Sequence, residues 1–444
     1  MVETHSKNEI DLEKPPRVGG NLLIGSLTDF QRNPLTFLEN AAAKHGDFVH
    51  LRFAYINAYF VNHPNYIEEI LLRSAEHFDK DTRSAAKIRS TCGNSLLSGD
   101  HATWARHRAL VQPVFQPRFI NATGPAIDRQ LAAMIERWDR FAIDNHPIDL
   151  VAEVMTLVMN MTVDVLFGDV INVGQLQQDL AVLISDTWQR IGAVIDPSAL
   201  SPLFHKAAFK QALKSVDATA FSIIAKRRAS HDNRDDLLGR LLESHAGAEI
   251  AGLDDRELRD AAVTLLLSGH ETTASAITWA LYHIAVANND RLSNVNPAQI
   301  FKEAIRLYPS IWIIERRAIQ DIRIGPYIIP KGSMVLISPY HLHRHPAFWL
   351  EAEQFDPGRF DDERVKARPR NAYLPFGLGQ HRCIGLHLTN LIAERTIAAI
   401  TARFKIVLQA GPKPLPMPMI TLGIAQPIWG RLERRETSIA KSIK

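Results

Sequence analysis

The spacing of apolar and polar residues predicts a chain that is mainly helical. Apolar positions recur every three or four residues over 34–44 and over most of 64–246, with breaks at glycine and proline. Two short segments, 48–53 and 58–61, alternate instead and predict strands. The first half of the chain is therefore expected to form helices with a small sheet near the N-terminus.

The second half predicts three helices and several short strands. Residues 254–288 predict one long helix, because Asp254 or Asp255 can cap its first turn and an apolar run follows. Two further helices are expected at 297–307 and 385–404. Short strands are predicted at 322–324, 327–329, 334–338 and 406–409.

Composition predicts one large domain. The 444 residues are 46% hydrophobic, and neither a linker nor an internal repeat divides them. We expect a domain over 21–436, a flexible N-terminal tail at 1–20 and a C-terminal tail at 437–444. A net charge of +3 is too small to indicate a nucleic-acid partner.

The cysteines and the N-terminal residues indicate the cellular compartment of the protein. Cys92 and Cys383 are the only cysteines, which excludes a disulfide framework and fits a reducing cytoplasm. The N-terminal residues lack the apolar segment of a signal peptide, and no uninterrupted apolar stretch reaches eighteen residues. The sequence therefore predicts a soluble, cytoplasmic protein without a membrane anchor.

One segment near the C-terminus carries candidate chemistry. Residues 376–385 read Phe-Gly-Leu-Gly-Gln-His-Arg-Cys-Ile-Gly and run into a predicted helix. A thiolate is a soft ligand that suits iron, and a helix N-terminus favours the anionic form of Cys383. Gly377 and Gly379 allow a tight turn, and Gly385 allows close approach of the backbone to a cofactor. The alternative is a buried structural cysteine in a glycine-rich turn.

This segment resembles the haem-binding loop of the cytochrome P450 family of haem-thiolate monooxygenases, and other signatures of that family follow in the expected order. The resemblance implies a mainly α fold with small β-sheets, a single large domain, and haem b (iron protoporphyrin IX) as the cofactor. It also implies that Cys383 is the proximal iron ligand and that Phe376 packs against the haem.

The middle of the long predicted helix, Ser268 to Thr273, matches the acid–alcohol pair of the family. The resemblance implies that Glu271 relays protons and that Thr272 holds dioxygen through its hydroxyl, because cleavage of the O–O bond consumes protons. Thr272 can also bond the carbonyl of Ser268, four residues back. Gly269 is expected to leave room for dioxygen. From the residues alone, the segment could be only a polar patch.

A second motif is structural. Glu303 and Arg306 are three residues apart and therefore share a helix face, where they could form an ordinary surface ion pair. The resemblance implies instead a buried triad with Arg359 that pins the irregular segment before Cys383. Loss of this triad is expected to prevent haem incorporation.

The two haem propionates require cationic or donor partners. By position in the family, the expected partners are Trp104, Arg108, Arg317 and His381. Taken singly, each of these residues could equally lie on a solvated surface.

A further set of residues concerns the substrate pocket. By position in the family, the candidate pocket residues are Arg83, Lys87, Arg89, Trp188, Leu266, Ile311, Trp312, Ile313 and Met419. The apolar run Ile311–Ile314 indicates a lipophilic substrate such as a terpenoid, fatty acid or steroid. The basic residues between Lys80 and Arg89 form either a solvated helix face or a site for a substrate carboxylate.

The sequence also contains a possible metal site. His341, His343 and His345 alternate, and on a strand they would share a face suited to zinc. No cysteine or acidic residue lies close to them in sequence, so we expect a turn rather than a metal site.

The predicted function is a bacterial-type monooxygenase that inserts one oxygen atom from O2 into an unactivated C–H bond, in one or several steps. We expect a monomer that receives electrons from a separate ferredoxin and its reductase, because no flavin-type or iron–sulfur-type segment occurs in the sequence. A basic surface that includes Arg106, Arg118, Arg364, Lys366, Arg368 and Arg382 would steer the carrier. The alternatives are a peroxide-driven peroxygenase and a non-catalytic haem sensor, and the Glu271–Thr272 pair argues against both.

Overall fold

The computed structural model describes residues 13–168, 171–193, 205–230, 236–243, 252–287, 289–292 and 295–435, together with Asp196 and Ser198. The helices are α1 Leu27–Arg32, α2 Pro34–His45, α3 Pro64–Glu68, α4 Arg83–Cys92, α5 His101–Val111, α6 Pro117–Ala122, α7 Gly124–Ile143, α8 Leu150–Phe167, α9 Val173–Gly192, α10 Ala207–Ser230, α11 Leu237–Glu243, α12 Asp255–Val286, α13 Pro297–Leu307, α14 Pro339–Leu342, α15 Asp362–Ala367 and α16 Leu386–Arg403.

The strands are short. They are β1 Phe48–Phe53, β2 Ile56–Val61, β3 Phe78–Asp79, β4 Ile148–Asp149, β5 Ile314–Ala318, β6 Ile322–Ile324, β7 Tyr327–Ile329, β8 Met334–Ile337, β9 Phe404–Leu408, β10 Pro416–Pro418, β11 Leu422–Ile424 and β12 Trp429–Arg434. The prediction of a mainly helical chain with small sheets is confirmed.

Local sequence signals set the residues at which α12 and α13 begin. Asp254 accepts a hydrogen bond from the Glu257 backbone N–H, and the Glu257 carboxylate accepts one from the Asp254 N–H. This capping box starts α12 where the sequence predicted it. Pro297 occupies the first turn of α13, and Asn296 caps it.

Contacts divide the chain into two compact units. The smaller unit comprises Met1–Thr82, Ile313–Leu350 and Pro369–Arg382. Its main sheet has the order β1-β2-β8-β5-β3, in which β2 and β8 are parallel and the other neighbours are antiparallel. Strands β6 and β7 form a separate hairpin. The core includes Phe48, Val61, Ile67, Ile70, Phe78, Ile324, Val335 and Leu374.

The predicted N-terminal tail needs a correction. The backbone of Glu13 donates to Pro326, Val18 donates to His50, and His50 donates to Pro16. Residues 13–18 are therefore fixed to the smaller unit rather than flexible. The other tail, 437–444, lies outside the described residues, and the single-domain assignment over 21–436 stays a prediction.

The larger unit comprises Arg83–Trp312, Glu351–Arg368 and Cys383–Lys444. Helix α12 is buried along most of its length and packs on α8, α10, α13 and α16. Fully buried aromatic side chains fill this core, among them Trp138, Trp279, Phe301 and Phe404. A β4-β12-β9 sheet and the β10–β11 hairpin complete the unit.

Helix α8 is apolar enough to be compared with a membrane span. Its 18 residues have a mean hydropathy of 1.7, but 61% of the helix is buried inside the protein. Glu153 and Asp164 interrupt its apolar sequence. Its packing against α12 accounts for the apolar composition, since core helices of globular proteins have the same character.

Candidate functional site

Cys383 lies two residues before Gly385, the N-cap of α16, and three before Leu386, the first residue of the helix. Its side chain is exposed, whereas Cys92 is buried and burial raises the pKa of the Cys92 thiol to about 12. The pKa of the Arg108 guanidinium is lowered by burial, and the charge of nearby Cys383 opposes part of this shift. The larger unit therefore presents one accessible thiol beside a cation, which favours the thiolate.

The glycines before the cysteine have a backbone reason. Gly377 and Gly379 have φ angles of 71° and 72°, in the left-handed region. A Cβ on Gly379 would also collide with the carbonyl oxygen of Leu71. Phe376 and His381 are partly buried in the same segment of the smaller unit. The sequence thus forms the tight turn that the glycines predicted.

Side-chain hydroxyls bond to backbone carbonyls in the middle of α12. The Thr272 hydroxyl donates to the Ser268 carbonyl at 2.6 Å, and the Ser268 hydroxyl donates to the Thr264 carbonyl at 2.7 Å. Ser268 is exposed although its neighbour Leu267 is buried. The Ser310 hydroxyl also donates to the Thr272 carbonyl at 2.7 Å. Hydroxyl bonds of this kind weaken the regular backbone ladder at Ser268–Thr272.

Gly269 lies opposite α8. A Cβ at this position would lie 3.4 Å from Cγ2 of Thr162 on that helix. The role of Gly269 in leaving room for dioxygen stays a prediction.

Glu271 is a buried carboxyl group. Burial raises its pKa, and the nearby Thr421 hydroxyl lowers it. Its Oε2 atom has no hydrogen-bond partner within the part of the chain that the structure describes. A raised pKa keeps more of the group protonated, which suits a proton donor.

Glu303, Arg306 and Arg359 meet in the larger unit. Arg306 donates from Nε and Nη2 to the Glu303 carboxylate at 2.7 and 2.8 Å, and both residues are 0% exposed. Arg359 Nε lies 3.4 Å from Glu303 Oε1. The same carboxylate accepts from the Asp356 N–H at 2.9 Å. The three side chains thereby hold the irregular segment around Asp356 against α13.

The arginines of β5 differ from the prediction. Arg317 is already paired with Asp79 at 2.6 Å and with Asp81 at 3.2 Å. Its neighbour Arg316 is buried and donates to the Glu315 carbonyl at 2.8 Å, with no carboxylate partner among residues the structure describes. Burial lowers the pKa of Arg316 to about 10. Arg316, which the sequence reasoning missed, is thus the better candidate for an anionic group.

The other expected propionate partners lie on α5. Trp104 is buried, and Arg108 donates from Nε to the Gln112 side chain at 2.8 Å. A guanidinium is a planar fork of donors whose geometry suits a carboxylate, so Arg108 stays a candidate propionate partner.

The basic segment of α4 also needs a correction. Lys87 Nζ lies 2.5 Å from Asp196 Oδ2, and the two side chains are 10% and 5% exposed. Arg83 donates to the Ala193 carbonyl, and Arg89 donates to the Ser98 carbonyl at 3.0 Å. Lys87 is therefore neither on a solvated face nor a free partner for a substrate carboxylate.

The remaining candidate pocket residues differ in their exposure and do not all belong to the same unit. Trp312 is 1% exposed, and its indole N–H donates to the Met419 carbonyl at 2.8 Å. Leu266 is also buried, Ile311 is exposed, and Trp188 is partly buried. Ile313 belongs to the smaller unit, where it is partly buried.

The alternating histidines do not form a metal site. His341 bonds to Ser338 and to the Leu35 carbonyl, and His345 bonds to Asp47. His343 accepts from the Leu374 N–H. Across the described ranges, no group of three His, Cys, Asp or Glu side chains could hold a metal ion.

Comparisons with known proteins identify the family. A sequence model described as Cytochrome P450 matches residues 15–289 and 298–429. Cyclooctatin synthase of Streptomyces melanosporofaciens is 32% identical over 91% of this chain and 92% of its own. Cyclooctat-9-en-7-ol 5-monooxygenase of the same organism is 28% identical over 91% and 92%. Pentalenene oxygenase of Streptomyces avermitilis is 24% identical over 90% and 93%.

Solved structures show the same fold. The crystal structure of the cytochrome P450DA heme domain matches with a TM-score of 0.84 at 21% identity, over 96% of this chain and 99% of that one.

The family and fold use haem b as the cofactor. Each unit contains residues that suit that group. In the larger unit, the exposed Cys383 thiol can ligate iron. In the smaller unit, the buried Arg316 guanidinium, which has no carboxylate partner among the described residues, can meet a propionate. With its cysteine loop, its acid–alcohol helix and a family match over most of its length, the chain belongs to the cytochrome P450 family of haem-thiolate monooxygenases.

Proposed function

We propose that this protein hydroxylates a neutral, largely hydrocarbon terpenoid with one oxygen atom from O2, in one or several steps. The observation that carries the proposal is the occurrence, in the larger unit, of an accessible Cys383 thiol and the Glu271–Thr272 pair of α12. The bound haem would supply activation of O2 and transfer of an oxygen atom to carbon.

In the larger unit, Cys383 would ligate the iron, and Trp104 and Arg108 are the candidate propionate partners. In the smaller unit, the candidate propionate partners are Arg316 and His381. Arg316 replaces Arg317 in this set, because the Arg317 charge is already balanced by Asp79 and Asp81. An unpaired buried guanidinium is costly, and a propionate would compensate it. The protein thus retains a cation whose partner is the cofactor.

Glu271 and Thr272 would move the protons that O–O cleavage consumes. The raised pKa of Glu271 keeps a proton available at higher pH than an ordinary carboxyl group does. The single O–H of Thr272 is donated to Ser268, so its oxygen is left to accept a hydrogen bond. A proton from Glu271 would therefore reach the Thr272 oxygen directly or through water.

The substrate class follows from relatives and charge. The relatives' names describe an oxygenase of pentalenene and a monooxygenase of cyclooctat-9-en-7-ol, an alkene and an unsaturated alcohol without a charged group. The buried Lys87 charge is already neutralised by Asp196. A neutral substrate therefore fits better than a fatty acid. Binding of an acid and its methyl ester, followed by the haem spectral shift, should favour the ester.

The electron donor is proposed to be a separate acidic ferredoxin with its reductase, and the protein is proposed to act as a cytoplasmic monomer. Arg118, Lys366 and Arg368 supply positive charge in the larger unit. Arg106 does not contribute to such a surface, because it is paired with Glu257, and Arg364 is paired with Asp356 at 2.7 Å. Turnover with ferredoxin should fall steeply as salt rises; a flat response would contradict the proposed docking.

The test of the function is product formation from a panel of cyclic terpenes with O2, NADH, ferredoxin and reductase. Thr272→Ala is expected to lower product formed per NADH by at least about tenfold while NADH is still consumed. Thr401→Ala serves as the control, because Thr401 of α16 is partly buried and its hydroxyl also donates to the carbonyl four residues back. Product formed with hydrogen peroxide but not with reduced ferredoxin would support the peroxygenase alternative, and no turnover with either would support the sensor.

A further inference from the structure

The turn between β10 and β11 is fixed to α12. The Ser275 hydroxyl of α12 donates to the Leu422 carbonyl at 3.0 Å. The Leu422 N–H donates to the Ser310 carbonyl at 2.8 Å, and Ser310 in turn bonds to Thr272. The Met419 N–H closes the turn on the Thr421 carbonyl at 2.9 Å. Thr421 is therefore held beside the acid–alcohol segment by several independent hydrogen bonds.

Helical spacing directs Glu271 toward this turn. Glu271 and Ser275 are four residues apart and share a face of α12. Because Ser275 reaches the Leu422 carbonyl, the Glu271 side chain lies on the face that meets the adjacent residue, Thr421. The backbone positions thus place Glu271 and Thr421 on facing sides of α12 and the turn.

Both groups have unsatisfied polar atoms. Thr421 is 8% exposed. Its Oγ1 atom and the Glu271 Oε2 atom are buried without hydrogen-bond partners within the described ranges. An unsatisfied buried polar atom costs about 1–3 kcal/mol. Two such atoms beside each other can satisfy one another, directly or through one water molecule.

We propose that Thr421 is a positioning residue that holds the Glu271 carboxyl group for proton delivery toward Thr272. This inference rests on the proposed function of Glu271. A hydroxyl suits the role because it accepts a hydrogen bond from a protonated carboxyl group and donates one to a carboxylate. Glu271 releases one proton toward Thr272 and regains one from water, so Thr421 guides the carboxyl group and is itself unchanged.

Electrostatics agree with the geometry. Burial raises the pKa of Glu271 and the Thr421 hydroxyl lowers it, and no charged side chain contributes to the shift. Removal of the hydroxyl should therefore raise the pKa of Glu271 further. A residue that only packed against α12 would leave that pKa unchanged.

The test compares Thr421→Val, which removes the hydroxyl at nearly constant volume, with Thr421→Ser, which keeps it. Thr396→Val is the matched control, because Thr396 of α16 is also buried and its hydroxyl has no hydrogen-bond partner among the described residues. The readout that is independent of turnover is the infrared C=O band of protonated Glu271, identified by its disappearance in Glu271→Gln. Titration of this band gives the midpoint of the carboxyl group in each variant.

Thr421→Val is expected to shift this band, to move its midpoint to higher pH, and to lower product formed per NADH about tenfold. Thr421→Ser should restore all three quantities, and Thr396→Val should leave them unchanged. An unchanged band and midpoint in Thr421→Val would overturn the inference, as would an equal effect of Thr396→Val. If the infrared result holds but the wild type forms no product, the proposed function fails while the pairing of Thr421 with Glu271 stands.

Discussion

Two buried ion pairs of the larger unit, Glu303–Arg306 and Lys87–Asp196, differ in how the sequence encodes them. Glu303 and Arg306 are three residues apart on α13, so the helix itself places them side by side. Lys87 and Asp196 come from α4 and from the segment after α9. No periodicity relates these two positions. The first pair could be predicted from spacing, and the second only from the folded chain.

The two ion pairs also differ in what they hold together. Glu303 accepts bonds from Arg306 and from the Asp356 backbone, so one carboxylate fixes a whole segment. For Asp196, burial raises the pKa, but hydrogen bonds from Lys87 and Ser198 outweigh it and lower the pKa overall. The first pair stabilises the larger unit, whereas the second joins α4 to the chain beyond α9. The experiments below test this contrast, from the largest expected effect to the smallest.

Replacement of Arg306 by Ala should have the largest effect. It leaves the Glu303 carboxylate buried without its bidentate partner, which costs about 3–5 kcal/mol. We expect little folded protein and low haem content, measured by urea unfolding and by haem per chain. Arg364→Ala removes an exposed pair with Asp356 and should cost less than about 1 kcal/mol. Equal losses in the two variants would contradict the triad's role.

Asp196→Asn should have an intermediate effect. The Lys87 ammonium would stay buried without its counter-charge, and we expect a loss of about 1–3 kcal/mol with haem content retained. A double-mutant cycle with Lys87→Met measures the coupling free energy of the pair. A coupling below about 0.5 kcal/mol would show that the two charges do not interact in solution.

The adjacent arginines of β5, Arg316 and Arg317, are expected to differ in their effect on the rate of haem loss. Arg316→Gln should speed haem loss to an excess of a haem-accepting apoprotein about tenfold, as expected for one lost charge-assisted hydrogen bond. Arg317→Gln should change that rate less than about twofold, since Arg317 is paired with Asp79 and Asp81. Faster haem loss from Arg317→Gln than from Arg316→Gln would instead indicate that Arg317 is the propionate partner.

At neutral pH the smallest effect concerns His341 in the smaller unit. Burial lowers the pKa of His341 to about 4, and a bond to the Leu35 carbonyl opposes the shift. Because the unfolded chain binds this proton near pH 6.5, the stability is present above that pH and is lost as the pH falls toward 4. The slope attributable to this group is at most about 1.4 kcal/mol per pH unit. His341→Asn should reduce the pH dependence of the free energy of unfolding; an unchanged slope would contradict the assignment.

The sequence predicted those features that depend on neighbours along the chain. The capping of α12 by Asp254 and Glu257, the Thr272–Ser268 bond and the positive φ angles of Gly377 and Gly379 all follow from local spacing or residue type. Strands 322–324 and 327–329 were predicted with their observed bounds.

Features that depend on tertiary packing were missed or misassigned. Strand alternation places Arg316 and Arg317 on opposite faces but does not say which face is buried. The packing of Gly269 against Thr162, the pairing of Lys87 with Asp196 and the proximity of Thr421 to Glu271 all require the positions of distant elements.

The carbon monoxide spectrum of the reduced protein tests the central claim, that the Cys383 thiolate ligates haem iron, most directly. The account predicts the absorption band of a thiolate-bound haem in the wild type and in Cys92→Ala, and its loss in Cys383→Ser. The band of a histidine-bound haem in the wild type, or a thiolate band that survives Cys383→Ser, would contradict the claim.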